Sequence, residues 1–359
     1  MMATIATTGM MADPRRRNLA ILGGVTLLFL LLAVGAVYQR AAQLAPKFEP
    51  RLLFPGLTMQ LTGLTEIEVA SKSGTIHVRQ AQGGRWVVAE RDSYPADLMQ
   101  IRAAGDGLAG LEIVEPKTSR ADWLNYLGLG APPMGDATQI KFSAGDKVLA
   151  DLLIGKVEGM PDELGRSELY VRRPSENQSW LARGYLTAKG APADWLDKNV
   201  VAIARDRLKG AAVTPAMGPP YSLTRDTKDA MDFKMLDLPR GRDLSFEGSP
   251  DGVASAILGL SFDDVAKADQ FNFANAPQSV FNTFDGLNVT VKVASKGTEH
   301  WATITAQAGT PMVQQEADTI NARNNGWAYK LADFKVNQII AARETLLKPL
   351  DAGGPANAK

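Results

Sequence analysis

The stretch GGRWVVAERDSYPADLMQI, residues 83–101, decides the fold because the hydrophobic period changes inside it. Trp86-Val87-Val88-Ala89 reads as a strand that follows a turn at Gly83-Gly84. From Pro95 onward, Leu98, Ile101, Ala104 and Leu108 recur at helical spacing. Pro95 suits a first helical turn, where its missing N–H leaves no donor unsatisfied and its φ is already set. The glycine pair then bends a meander so that Trp86 enters the core, and the following helix covers the sheet. A ligand cradle is the competing reading of the same glycines. Gly105, Gly107 and Gly110 lower helix propensity, so the helix ends early or approaches a neighbour closely.

Upstream, residues 65–70 and 75–79 alternate apolar and polar side chains, with Ile67 and Val69 sharing a face of their strand, as Ile76 and Val78 do of theirs. His77 falls on the face opposite Ile76 and Val78, which makes it a solvent-side histidine rather than a metal ligand. Downstream, LEIVEP returns as a strand. Glu112 and Glu115 do not share one strand face, so they read as solvated rather than as an acid/base pair. After LGLGAPPMGD, residues 137–156 form a hairpin turning at Ala-Gly-Asp, and residues 167–184 form another turning at Pro-Ser-Glu-Asn. Together these predict a second sheet. Trp123 and Trp195 both occur as Ala-Asp-Trp-Leu, a pattern for capped turns with buried indoles; stacking against a ligand is the other reading.

The second half replays this plan. RLKGAAVTP, YSLTRD and DFKML lie over the three opening strands, and GSPDGVASAILGL lies over the Pro-led helix, with Pro250 answering Pro95 and Val253, Ile257 and Leu260 as its stripe. SFDDVAKA answers LEIVEPKTS, residues 287–307 answer the hairpin at 138–154, and GWAYKLADF answers residues 168–184 in outline.

At the other end, residues 19–38, LAILGGVTLLFLLLAVGAVY, are uncharged, and as a helix would span about 30 Å, the thickness of bilayer hydrocarbon. Arg15, Arg16 and Arg17 precede them, which holds that end in the cytoplasm. A cleaved signal peptide and a buried helix are the alternatives. The expected fold class is α+β: an N-terminal transmembrane helix, then duplicated, mainly antiparallel sheet units, each covered by a helix. The expected boundaries are a cytoplasmic N-terminus at 1–18, an anchor at 19–38, a stalk at 39–63 rich in proline, halves at 64–200 and 201–345, and a disordered tail at 346–359. That topology places the chain in the inner membrane as a single-pass protein with its bulk in the periplasm.

Composition narrows the function classes. The 359 residues are 45% hydrophobic, enough for a core, and 39 basic residues balance 39 acidic ones, which argues against nucleic acid. There is no cysteine, so thiolate nucleophiles, disulfides and cysteine zinc sites are excluded; the histidines are His77 and His300. No phosphate-loop, dinucleotide, nucleophile-elbow or His-Glu-x-x-His motif occurs. Asp263-Asp264 reads as a turn and Asp92/Asp97 as helix-start chemistry rather than as hydrolytic carboxylates. The candidate ligand or partner contacts are Tyr170, Arg172, Arg173 and Trp180, while Trp86, Pro95, Trp123, Trp195 and Pro250 are structural. No cofactor is expected.

The segments LFPGL, GGRWVVAERDSYPAD, LGLGAPP, DLLIGK, ELYVRRP with SWLARG, and ADWLDKNVVAI, within residues 53–205, resemble the membrane-anchored bacterial family named domain of unknown function 4340. None is a catalytic motif. The resemblance implies association with ABC-type transport systems of the gliding-motility kind. The expectation that follows is a non-enzymatic, single-span extracytoplasmic accessory or scaffold whose partners are membrane proteins such as transporter subunits. A polysaccharide- or peptide-binding module with a Trp- and Tyr-lined groove between the halves is the alternative, and a carboxylate hydrolase a remote one.

Overall fold

Alternation along the strands sets the inner face of the first sheet. In β2 (Glu66–Ser71) and β3 (Gly74–Gln80), Ile67 sits opposite Val78 and Val69 opposite Ile76, and all four are buried. The computed structural model describes residues 22–36, 48–186 and 189–349. The chain divides into two units, Met1–Arg51 and Leu52–Lys359, each taken by itself below.

In the first unit the described helix, α1, covers residues 22–36, about 22 Å at the α-helical rise. Among the described residues, no helix is long and apolar enough to cross a membrane. This corrects the expected transmembrane helix at 19–38: the helix described there, residues 22–36, does not combine the length and apolarity that a span needs. Residues 19–21 and 37–38 of the expected span, and the expected cytoplasmic segment 1–18, lie outside the described residues. The single-span accessory role, the inner-membrane placement and the attachment to membrane partners through 19–38 rested on that span, and they fall with it.

In the second unit, the later part of the expected stalk is core. Leu53 and Leu57 are buried, the latter opening α2 (Leu57–Gln60). The meander continues with β4 (Trp86–Val88) and β5 (Tyr94–Pro95). Gly83 and Gly84 both have positive φ, 83° and 76°, which is the conformation that the turn requires and that glycine alone adopts without strain. Trp86 is half-buried rather than a core residue; Val87 and Val88 take the interior.

Pro95 does not open the helix. It pairs with Val87, and its carbonyl accepts from the Asp197 N–H, so it is held as strand. The helix α3 (Leu98–Ala109) begins instead at Asp97, whose carboxylate accepts from the Met99 N–H. Leu98 is exposed, and the buried stripe is Ile101, Ala104 and Leu108. Gly107 explains the small residues, since a methyl there would meet the Leu186 backbone at 3.2 Å.

The remaining strands of this half are β6 (Glu112–Pro116), β7 (Thr138–Ala144), β8 (Lys147–Glu158), β9 (Ser167–Arg172) and β10 (Ser179–Gly184). The two hairpins do not make a sheet of their own. β7 pairs along the free edge of β2, with Ile67 opposite Phe142 and Val69 opposite Ile140, and this joins everything into one antiparallel sheet.

The second half contains β11 (Leu208–Thr214), β12 (Tyr221–Thr224), β13 (Lys234–Met235), α4 (Asp251–Ala254), β14 (Asp264–Lys267), β15 (Gln278–Thr283), β16 (Leu287–Lys296), β17 (Glu299–Ala308), α5 (Gln314–Asn324), β18 (Trp327–Leu331) and α6 (Asp333–Ile339). Its sheet runs β13-β12-β11-β15-β16-β17-β18-β14, and the first sheet contains the run β4-β3-β2-β7-β8-β9-β10-β6. Matched by order along the chain, the two are the same arrangement. Trp180 pairs with the last residue of β6, Pro116, and Trp327 pairs with the last residue of β14, Lys267.

Three details differ from the sequence reading. The hairpin at 138–154 is matched by β15 and β16, so its counterpart begins at Gln278–Thr283 rather than at residue 287. The helix expected across 248–260 is only the four-residue α4, preceded by Pro250 at its N-cap. The second sheet instead takes its longest helix from α5, inserted between β17 and β18. Asn321 of α5 holds the Ala306 backbone, accepting from its N–H at 2.7 Å and donating to its carbonyl at 2.8 Å.

Arg207 clamps α5 from the other side, with Asp285 at 2.9 Å and both Glu316 oxygens at 2.9 and 2.7 Å. Burial raises the Asp285 pKa, but the Thr283 hydroxyl and Arg207 outweigh that and hold it below its usual 3.8. A depressed carboxyl adds stability above its unfolded value and loses it as pH falls through the folded value. The urea midpoint is therefore expected to fall below about pH 4, and Asp285→Asn to reduce that fall. An unchanged acid limb in Asp285→Asn would remove this clamp from the account.

Aromatic rings fill the junction between the halves. Tyr94 of β5 meets Trp327, Phe262 and Tyr329 edge-on at centroid distances of 5.0, 5.9 and 6.2 Å, and its hydroxyl donates to the Asp197 carbonyl. Arg91 makes a bidentate contact with Asp264 at 2.5 and 2.9 Å beside them. Burial pushes the Tyr94 phenol up to about 12. Tyr94, Phe262 and Tyr329 are buried, so these rings pack the junction instead of lining an open groove.

Candidate functional site

An exposed aromatic pair stands just past the end of β6. Ser179, wholly buried, fastens that strand end. Its N–H and Oγ donate to the Thr118 carbonyl, its Oγ accepts from the Thr118 N–H, and its carbonyl accepts from the Lys117 N–H, all at 2.8–3.0 Å. The Thr118 hydroxyl then accepts from the Arg120 N–H and starts a 3₁₀ helix over Ala121–Leu127. With three residues per turn, Trp123 and Tyr126 share one face and Leu124 and Leu127 the other.

The leucine face is the one that docks. Leu124 packs with Leu129, Ala137 and Leu153, with Leu127 and Tyr170 against them. Docking is close because β8 bulges between Ile154 and Val157 and carries Gly155 there, where a Cβ would lie 2.3 Å from the Leu127 carbonyl oxygen. Gly128, with φ 71°, ends the helix, its N–H donating to the Asn125 carbonyl. Three of the segments that carry the family resemblance, LGLGAPP, DLLIGK and ELYVRRP, thus meet beneath this helix, and SWLARG supplies Ser179.

Trp123 and Tyr126 point outward, 51% and 76% exposed, over a cavity of about 650 Å³ lined with Pro116, Lys117, Thr118 and Leu127. The Trp123 indole is therefore not buried, whereas Trp195, in the same tetrapeptide, is 1% exposed and donates its indole N–H to the Lys189 carbonyl. The rim charges pair with one another. Arg120 makes a bidentate contact with Asp122 and lies 5.2 Å from the Trp123 ring centre; Lys117 reaches Glu115 at 3.0 Å and Glu158 at 4.0 Å. A hydrogen bond to Glu158, with some burial, pushes the Tyr170 phenol up to about 12, and Lys117 stands 5.7 Å from its ring. Such a rim offers apolar faces and no unpaired charge.

The sequence-derived candidates distribute unevenly around it. Tyr170 does not line the cavity but packs against the leucine cluster beneath the helix. Trp180 is half-buried opposite Pro116. Arg172 holds its own hairpin turn through the Pro174 and Glu176 carbonyls, and burial lowers its pKa. Arg173 binds the Glu176 carboxylate and the Leu53 carbonyl and lies over the Phe54 ring. Tyr126, Lys117 and Thr118 escaped the sequence reading. The signal was present as Trp and Tyr three residues apart, alternating with leucines also three apart.

The other candidates lie elsewhere. His77 contacts the Glu90 carboxylate through Nδ1 at 2.7 Å, and His300 Nδ1 is 3.0 Å from the Ser295 hydroxyl. Among the described residues, no group of three or more His, Cys, Asp or Glu side chains is arranged to hold a metal.

Fold and site together define a class: an α+β protein of two antiparallel sheets with one shared strand order and an aromatic surface at the end of the first. The family model described as Domain of unknown function (DUF4340) matches residues 86–279, and the chain belongs to that family. No curated protein and no solved structure matches it.

Proposed function

We propose that the chain is a non-enzymatic accessory module that holds a peptide segment of a partner protein against Trp123 and Tyr126. The observation that carries this reading is the aromatic pair, more than half exposed yet mounted on a helix fixed through Gly155, Gly128 and Ser179. Tryptophan, tyrosine and arginine are the side chains that dominate binding energy at protein interfaces, and a rigid ring loses little entropy when covered. The cavity of about 650 Å³ suits one or two inserted apolar side chains. The paired rim charges favour contact by faces over proton transfer. The transporter association implied by the family resemblance adds no residue to this surface.

Selection from a displayed random-peptide library against the intact chain is expected to return apolar or proline-containing peptides. Trp123→Ala and Tyr126→Ala should each weaken these by about tenfold or more, the scale of an interface hot spot, with melting unchanged. Peptides that bind both variants as tightly as the parent would overturn the reading, as would an aromatic-dependent response to saccharides alone.

A further inference from the structure

We infer a second ligand site, on the other half of the molecule, for an acidic saccharide: a hydroxylated ring carrying a carboxylate. It does not depend on the Trp123 surface. A cavity of about 740 Å³ opens over the outer face of β16 and β17, bounded by the end of α5 and by Trp327. The strand register makes its floor polar, because Lys292 sits opposite Thr303, and Thr305 and Gln307 follow at two-residue steps while Ala302, Ile304 and Ala306 turn inward.

The chemistry of the lining selects the ligand. Two hydroxyls, from Thr303 and Thr305, and the amides of Gln307 and Asn325 present neutral donors and acceptors. Lys292 supplies one ammonium, no Asp or Glu lines the cavity, and among the described residues no carboxylate is ion-paired with Lys292. The apolar end comprises Phe273 and Trp327, whose indole is held by the Lys267 ammonium 3.5 Å from its centre. Many neutral hydrogen-bonding groups, one cation and an aromatic wall match a saccharide in which each hydroxylated ring carries one carboxylate, with Lys292 pairing with one of them, better than a polyphosphate backbone, which would need a basic stripe. Asn321 keeps the wall in place through the Ala306 backbone.

The position has an internal counterpart. This cavity borders Ala268, just past β14, and the Trp123 cavity borders Glu115–Thr118 at the end of β6; β14 and β6 occupy the same place in the shared strand order. The duplicated fold thus presents a recess twice, lined for different ligands.

Titrating the full chain with trigalacturonate, its methyl ester and a single-stranded oligonucleotide, by calorimetry, tests the inference. Trigalacturonate is expected to bind at least about tenfold more tightly than the ester, the scale of one charge-assisted hydrogen bond. Lys292→Ala should erase that preference, Lys292→Arg should keep most of it, and Thr303→Val with Thr305→Val should weaken both sugars. Trp123→Ala should change none of these values, which separates this site from the peptide surface. Failure of trigalacturonate to bind at millimolar concentration, equal binding by Lys292→Ala, or preference for the oligonucleotide would overturn it.

Discussion

Tyr94→Ala is expected to destabilise the second unit by about 3–5 kcal/mol, the range for removing a buried aromatic ring. Tyr94 is 2% exposed, and its ring touches Phe262, Trp327 and Tyr329, all of the other half, so truncation leaves a cavity where the two sheets adjoin. Tyr94→Phe should cost only about 1 kcal/mol, since it removes the hydrogen bond to the Asp197 carbonyl and keeps the ring. The parent is expected to unfold in one transition, because the halves share this core, and Tyr94→Ala to split or broaden it. Coincident fluorescence and circular-dichroism curves in Tyr94→Ala, with a loss below 1 kcal/mol, would mean that the halves are stable independently of the junction.

Gly155→Val is expected to displace the Ala121–Leu127 helix and with it the aromatic surface. A Cβ at Gly155 would lie 2.3 Å from the Leu127 carbonyl oxygen and 3.1 Å from the Leu129 side chain, so backbone, rather than a flexible side-chain tip, has to move. Overpacking of this kind costs about 1–3 kcal/mol. The chain should still fold, since the register of β7 with β8 lies on the far side of the bulge. Peptide binding at Trp123 should fall as far as in Trp123→Ala, while binding of trigalacturonate at Lys292 stays. Retention of peptide affinity in Gly155→Val would show that the helix does not need this docking to present its rings.

Much of the strand framework was legible in the sequence, because each strand advertises itself by alternation within a few residues: Ile67 and Val69, Ile76 and Val78, and both hairpins of the first half. The replay of the plan after residue 200 was legible as an order of strands, which the two sheets share, whereas the match of Pro250 to Pro95 fails because Pro95 is strand and the Pro250 segment makes only a four-residue helix. The site was less so. Trp123 and Trp195 stand in identical tetrapeptides, yet one is 51% exposed and the other 1%. Nothing within the tetrapeptide itself distinguishes them. The difference lies in Gly155, which draws the leucine face of the Trp123 helix inward, and in Lys189, whose carbonyl receives the Trp195 indole.

The sequence by itself determined the α+β class, the positions of most strands and the duplication, because these depend on side-chain periodicity between near neighbours. It also suggested a membrane span at 19–38, but among the described residues no helix is long and apolar enough to cross a membrane. Only the tertiary structure decided that β7 extends the edge of β2 into a single sheet, that α5 rather than the Pro250 segment forms the long helix of the second half, and that Tyr94 seals the junction. Each of those choices is made by a strand edge or an apolar face meeting a partner far away in the chain, and periodicity within a segment carries no record of which partner arrives.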